Sequence, residues 1–143
     1  MDAKRLAVRV ARQQASGVMR IKDVVVDCRH AASLARFWAS ILDGYAIAPY
    51  DEAELDRLAQ QGVTSTEDDP TVLVEAAPGT LRLFFQVVPE PKTVKNRLHI
   101  DLQIDDLTVG TSLIIELGGR VIATFDDHML LADPEGNEFC LTR

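Results

Sequence analysis

Arg97-Leu98-His99-Ile100-Asp101-Leu102-Gln103-Ile104 alternates polar and apolar residues without a break. A period of two puts the apolar set on one face of a β-strand and the polar set on the other. A second β-type run, Ile21-Lys22-Asp23-Val24-Val25-Val26-Asp27, is rich in branched residues. Each run leads into a helical segment, and each helix meets a glycine stop: Leu42-Asp43-Gly44-Tyr45-Ala46-Ile47 and Leu117-Gly118-Gly119-Arg120-Val121-Ile122. Glycine just past a helix end adopts the left-handed conformation that other residues resist. Overlaying Gly44 on Gly119 gives an offset of 75, and overlaying Asp23 on His99 gives 76. The two offsets agree to within one residue, which identifies an internal repeat.

The repeat unit is legible. In the first helix, expected over 31–42, Leu34, Phe37, Trp38, Ile41 and Leu42 form one apolar stripe. The second, over 107–117, is weaker and has Asp105 or Asp106 for a cap. Three short strands follow each helix: 45–48, 71–76 and 81–88, then 120–125, 129–132 and 138–142. Ala77-Pro78-Gly79-Thr80 and Asp133-Pro134-Glu135-Gly136-Asn137 carry turn chemistry between strands. The fold class is therefore α+β, built from two βαβββ modules. The first spans 20–88 and the second 97–143. Residues 89–96, with Pro89 and Pro91, form a stiff linker. Residues 49–69 have no counterpart in the second module. They hold a short acidic helix and read either as surface decoration or as a flap over a cleft.

Length and composition suit a single small globular chain: 143 residues, 47% hydrophobic and 26% charged. No apolar run reaches the ~18 residues of a membrane span. The net charge of −7 is unevenly spread: residues 1–20 carry five basic residues against Asp2, leaving −11 for the rest. Residues 1–19 thus form a basic arm outside the fold, either helical or disordered. Leu6-Ala7-Val8 is cut off by Arg9, too short for a secretory core; an organelle leader or a start at Met19 remain open. The acidic balance argues against nucleic acid as partner. Two cysteines, Cys28 and Cys140, are too few for a disulfide scaffold, so both are expected free in a cytoplasmic protein.

Several segments together resemble the vicinal oxygen chelate superfamily, which includes glyoxalase I, extradiol dioxygenases and bleomycin-resistance proteins. They are Val24-Val25-Val26-Asp27-Cys28, Leu34-Ala35-Arg36-Phe37-Trp38, Leu42-Asp43-Gly44 and the 133–137 turn. Phe84-Phe85-Gln86, Val88-Pro89-Glu90-Pro91-Lys92 and Lys95-Asn96-Arg97-Leu98-His99-Ile100-Asp101 are similar to its glyoxalase-like subgroup. The likeness covers about residues 20–143. It implies curved, partly barrel-like sheets around a cavity that takes a small molecule or a metal, commonly in a homodimer.

The resemblance also implies where a metal would sit. The first-strand position falls on Asp23, the fifth-strand histidine on His99, and the eighth-strand glutamate on Cys140. Glu138 lies two residues earlier, on the same face but about 7 Å away along the strand. The fourth-strand position falls near Leu83, or on Gln86 if that residue faces inward. Only His99 matches directly. A metal is therefore not favoured; if one binds (Zn, Ni, Mn or Fe), Asp23, His99 and Glu138 or Cys140 are its ligands.

What remains is a polar set on the inward phase: Asp23, Asp27, His99, Asp101, Glu138 and Cys140. Facing a cavity, its four carboxylates would raise one another's pKa and leave His99 and Glu138 as an acid–base pair. The plainer reading has half of them in solvent and Cys140 as a small buried hydrophobe. Asp23, Asp27, Gln86, His99, Asp101, Cys140 and Trp38 are the expected ligand-binding residues. Lys92, Lys95 and Arg97 either meet an anion or form a solvated loop. Two functions follow: a metal-free binding or resistance-type module, or a metal-dependent lyase, isomerase or dioxygenase. Whether the chain is an enzyme stays open at this level.

Overall fold

The computed structural model describes residues 2–14 and 19–143, apart from the side chains of 11–14. Met1 and residues 15–18 of the expected arm lie outside the described residues. The elements run α1 (Ala3–Gln14), β1 (Asp23–Cys28), α2 (Ala31–Ile41), β2 (Ala46–Ile47), α3 (Glu52–Gln60), a 3-10 turn (Thr66–Asp68), β3 (Thr71–Glu75) and β4 (Arg82–Val87). The second half runs β5 (Ile100–Gln103), α4 (Leu107–Glu116), β6 (Arg120–Thr124), β7 (His128–Ala132) and β8 (Glu138–Thr142). No helix among the described residues is long and apolar enough to cross a membrane.

The repeat is real in three dimensions. One sheet has strand order β1-β4-β3-β2 and the other β5-β8-β7-β6. The first strand of each module pairs in parallel with the last, and the other pairings are antiparallel. This is a mixed α+β fold of two open four-stranded sheets; neither closes into a barrel. A helix covers one face of each. Leu34, Phe37 and Trp38 of α2 meet Val72, Val74, Leu83 and Phe85 in a cluster that continues through Ile114, Leu131, Phe139 and Leu141 of the second module. The two modules therefore share one core.

The structure departs from the sequence pattern in two places. Both leading strands start later than their alternation suggests, at Asp23 and Ile100. Pairing sets these limits: Asp23 is opposite Arg82 where β4 begins, and Ile100 is opposite Phe139. Residues 97–99 keep the alternation without a partner strand. The second helix stop also shifts. The left-handed glycines are Gly44 (φ 73°) and Gly118 (φ 99°), so Gly118 is the counterpart of Gly44. Gly119 is required for packing instead, because a Cβ there would lie 2.5 Å from Ile114 Cγ2 and 3.0 Å from the Ala132 carbonyl oxygen.

The modules are joined through the 133–137 turn. Asp133 is 1% exposed. Its Oδ2 accepts from Trp38 Nε1 at 3.1 Å and Asn137 Nδ2 at 2.9 Å. Its Oδ1 accepts from the backbone N–H groups of Glu135 and Asn137, each at 2.9 Å. Glu135 then reaches the entry of α2, accepting from the N–H groups of Arg29 (2.6 Å) and His30 (3.2 Å). A carboxylate there suits both the orphan donors and the helix dipole. Asp133→Ala leaves the indole and two backbone donors buried without an acceptor. We expect it to cost about 3 kcal/mol in urea denaturation. A loss under 1 kcal/mol would show that the turn does not hold the modules together.

Candidate functional site

The helices cover only one face of each sheet, so the opposite faces are open. On the first sheet the open phase carries Asp23, Val25 and Asp27 of β1, opposite Arg82, Phe84 and Gln86 of β4. On the second it carries Asp101 of β5 opposite Cys140 of β8, with Glu138 two residues before Cys140. The polar residues that the alternation placed on one phase do share the open faces. Trp38 does not. It is 3% exposed and committed to Asp133, so it forms the back wall of a cavity and not an accessible contact.

A cleft of about 770 Å³ lies between β1 and β5, each at one edge of its sheet. Val24, Val25, Val26, Val88, Leu98, Ile100 and Phe139 supply apolar wall, and the linker closes it with Pro91 and Asn96. Asp27, Arg29, Glu90, Lys92, Arg97 and Glu138 give it charge. Of the residues expected at a ligand site, Asp27, Trp38 and Glu138 line this cleft; Asp23, Gln86, His99, Asp101 and Cys140 do not.

Each remaining group is set by its nearest partner. Asp23 gives both carboxylate oxygens to Arg82, at 2.8 and 3.2 Å. Glu138 accepts from Lys92 Nζ at 3.1 Å and from the Asn96 N–H at 2.9 Å. Burial alone would raise its pKa. The Asn96 and Glu138 backbone N–H groups and Lys92 outweigh that and bring the carboxyl down to about 2. The expectation of mutually raised carboxyls therefore fails at Glu138, which stays ionised and cannot serve as a proton donor near neutral pH. It also fails to join His99. The residues brought together are His99, Asp101 and Cys140, with donor atoms within 4.8 Å of one another. Burial and the Asp101 carboxylate both raise the Cys140 thiol pKa. Cys28 is buried deeper; burial, then Glu135, Asp27 and Asp133, push it up to about 12.

The 49–69 insertion lies over the open face of the first sheet. Tyr50, Glu54, Arg57 and Asp69 face Thr71, Leu73 and Phe84 across a second cavity of about 420 Å³. Tyr50 Oη donates to Asp69 at 2.8 Å, and Arg57 pairs with Glu54 and Asp69. At the far end Arg36 of α2 holds Glu67 with two hydrogen bonds, at 2.8 and 2.6 Å. The insertion thus covers part of the open face of the first sheet and contributes no residue to the larger cleft.

The sequence profile described as "Glyoxalase-like domain" matches residues 23–142. The chain belongs to the glyoxalase-like domain family. Solved structures share its fold at low identity. An enzyme of the glyoxalase/bleomycin resistance protein/dioxygenase family from Burkholderia phytofirmans PsJN is 13% identical, with 86% of this chain and 97% of that chain covered and a TM-score of 0.61. The fosfomycin resistance protein FosX from Mesorhizobium loti is 13% identical, covering 87% and 91%, with a TM-score of 0.60. The oxidase ChaP-H2 is 18% identical, covering 88% and 94%, with a TM-score of 0.56. No curated protein matches the chain in sequence.

Within this glyoxalase-like fold the metal positions implied by the superfamily are poorly filled. Asp23 is neutralised by Arg82, and Glu138 is held by Lys92 and Asn96. Asp23, His99 and Glu138 are therefore not assembled as a ligand set. His99, Asp101 and Cys140 gather one nitrogen, one oxygen and one sulfur donor of the types that borderline ions such as Zn accept, with His99 and Asp101 exposed to water. Sequence reasoning missed Arg29 and Glu135 in the cleft, and Tyr50, Arg57 and Asp69 beneath the insertion. Their roles depend on contacts across long sequence separations that no local pattern marks.

The depressed Glu138 pKa has a signed consequence. A carboxyl lowered in the folded state contributes stability above its unfolded value near 4.5, and that contribution fades as pH falls toward 2. The stability gap between the wild type and Glu138→Gln should be largest at pH 6 and close between about pH 4.5 and 2. Denaturation curves at several pH values check this, and a gap that widens on acidification would contradict the Lys92 and Asn96 assignment.

Proposed function

We propose that this glyoxalase-like protein binds a small organic molecule in the cleft between its modules, without a metal held by Asp23, His99 and Glu138. The cleft itself carries the reading. Its volume is within the range of small-molecule sites, and apolar walls with a few charged groups are their usual lining. Arg29 and Arg97 offer guanidinium groups at its mouth, while Asp27 and Glu90 offer carboxylates. The ion pairs at Asp23 and Glu138 support the metal-free part, because both carboxylates already have cationic partners. The free thiols of Cys28 and Cys140 are consistent with work in a reducing cytoplasm.

A second reading is a metal-dependent lyase, isomerase or dioxygenase. The His99, Asp101 and Cys140 group favours it, and here the metal would supply Lewis-acid chemistry at the open face. One fold neighbour is named a resistance protein and another an oxidase, so this fold serves both kinds of role.

Thermal-shift screening against small-molecule libraries tests the first reading, since a ligand at a hundred times its Kd adds about 2.7 kcal/mol. Val25→Trp, on an exposed position of the cleft wall, should abolish the shift and leave the unliganded melting temperature nearly unchanged. A hit that binds Val25→Trp equally well would move the site elsewhere. Protein purified without chelator and offered Zn, Ni, Mn or Fe should carry no stoichiometric ion. An ion retained at one per chain and lost in His99→Ala would overturn the metal-free reading.

A further inference from the structure

The 49–69 insertion encloses a space of its own. The cavity of about 420 Å³ beneath it shares no lining residue with the cleft between the modules. Its floor is Leu73 and Phe84, cross-strand partners on the open face of the first sheet, and Ile47 and Pro49 add apolar wall. Its other side is polar: Tyr50, Glu54, Arg57 and Asp69 come from the insertion, and Thr71 from the start of β3. A volume of several hundred Å³ with apolar walls and a few converging polar groups is the usual form of a small-molecule site.

The polar side is ordered around Asp69. That residue is 3% exposed, so its carboxylate needs partners. Tyr50 Oη, the Thr71 N–H and Arg57 Nη2 donate to it at 2.8, 3.0 and 3.5 Å. Burial, and then the bond to Asp69, raise the Tyr50 phenol pKa, so the hydroxyl stays neutral. Arg57 also turns Nε and Nη2 to Glu54 Oε2, at 3.0 and 2.9 Å. The one cation lining the cavity is therefore shared by two carboxylates. Among the described residues Glu54 Oε1 accepts no hydrogen bond. Arg82 approaches the Phe84 ring to 5.6 Å, but Asp23 neutralises it and it lies outside the lining.

These charges select the ligand. Glu54 and Asp69 against Arg57 leave a net of −1. An anion would meet two carboxylates and a guanidinium already committed to them, whereas an ammonium gains Glu54. Leu73 and Phe84 suit an aromatic body.

We propose that the cavity beneath the insertion is a second binding site, which takes a small primary amine with an aromatic body. The ammonium meets Glu54, and the ring lies on Leu73 and Phe84. The second module has no such insertion, so the site belongs to the first module alone and works independently of the cleft.

Amide NMR of the full chain titrated with phenethylamine to about 10 mM tests this, beside phenylacetate and phenylacetamide as the acid and neutral counterparts. Phenethylamine should shift Tyr50, Glu54, Thr71 and Leu73 saturably, and the two counterparts should bind at least tenfold more weakly. Glu54→Gln keeps an acceptor for Arg57 and should weaken the amine at least tenfold with unchanged circular dichroism. Leu73→Trp, which fills the cavity from its floor, should abolish binding; if it does not fold, Glu54→Gln decides. Val25→Trp blocks the cleft and should leave amine binding unchanged, so failure of this site and failure of the cleft are told apart. No saturable shift in the wild type overturns the proposal. Equal binding of the acid or the amide, unchanged affinity in Glu54→Gln, or shifts at cleft residues that vanish in Val25→Trp overturn it as well.

Discussion

Burying the Asp133 carboxylate requires that its donors be placed correctly. Desolvation raises its pKa, and the hydrogen bonds from Asn137, Trp38 and Glu135 pull the other way. Those donors come from both modules, so the cost of desolvation is offset only when the modules are docked. The docking also brings Phe139 against both aromatics of α2, edge to face on Phe37 at 6.4 Å and tilted on Trp38 at 5.0 Å between ring centroids. From this seam the first helix and the last strand take their relative positions. The facing edges of β1 and β5, and the cleft between them, follow from it.

The chemistry of the site depends on which charge sits beside which. Asp23 and Glu138 look alike in sequence, as acidic residues on the open phase of a strand. Each is held by its own cation, one from the adjacent strand and the other from the linker. His99 and Asp101 lie two residues apart and meet Cys140 because β5 and β8 are paired in register. The same sheet pairing that holds the second module together therefore also gathers its one mixed donor group. The insertion adds a separate polar network over the first sheet, built on Asp69 and its contacts to Tyr50 and Arg57. The two modules share a topology and have diverged in what covers their open faces.

The repeat unit, the α+β class and the order of α2, α4 and the eight strands were legible in the sequence, because period and turn chemistry are local. Leu34, Phe37 and Trp38 had to share a helix face, and Gly44 had to end that helix. Where the pattern misled, an absent partner was the reason. Residues 97–99 alternate as a strand does, but no strand is opposite them. Gly118 and Gly119 are adjacent and look interchangeable, yet one supplies a left-handed turn and the other a close contact with Ile114.

Alternation along each strand dictates which residues share a phase: Asp23 with Asp27, His99 with Asp101, and Glu138 with Cys140. A two-residue period leaves no freedom in that. What each phase faces depends on how the sheets and modules pack. That packing placed Arg82 on Asp23, Lys92 and Asn96 on Glu138, and Asp133 on Trp38, all across separations of 42 to 95 residues. Charge and burial act through space and not along the chain, so the roles of these residues were settled by the packing of one module against the other and by the strand pairing within each.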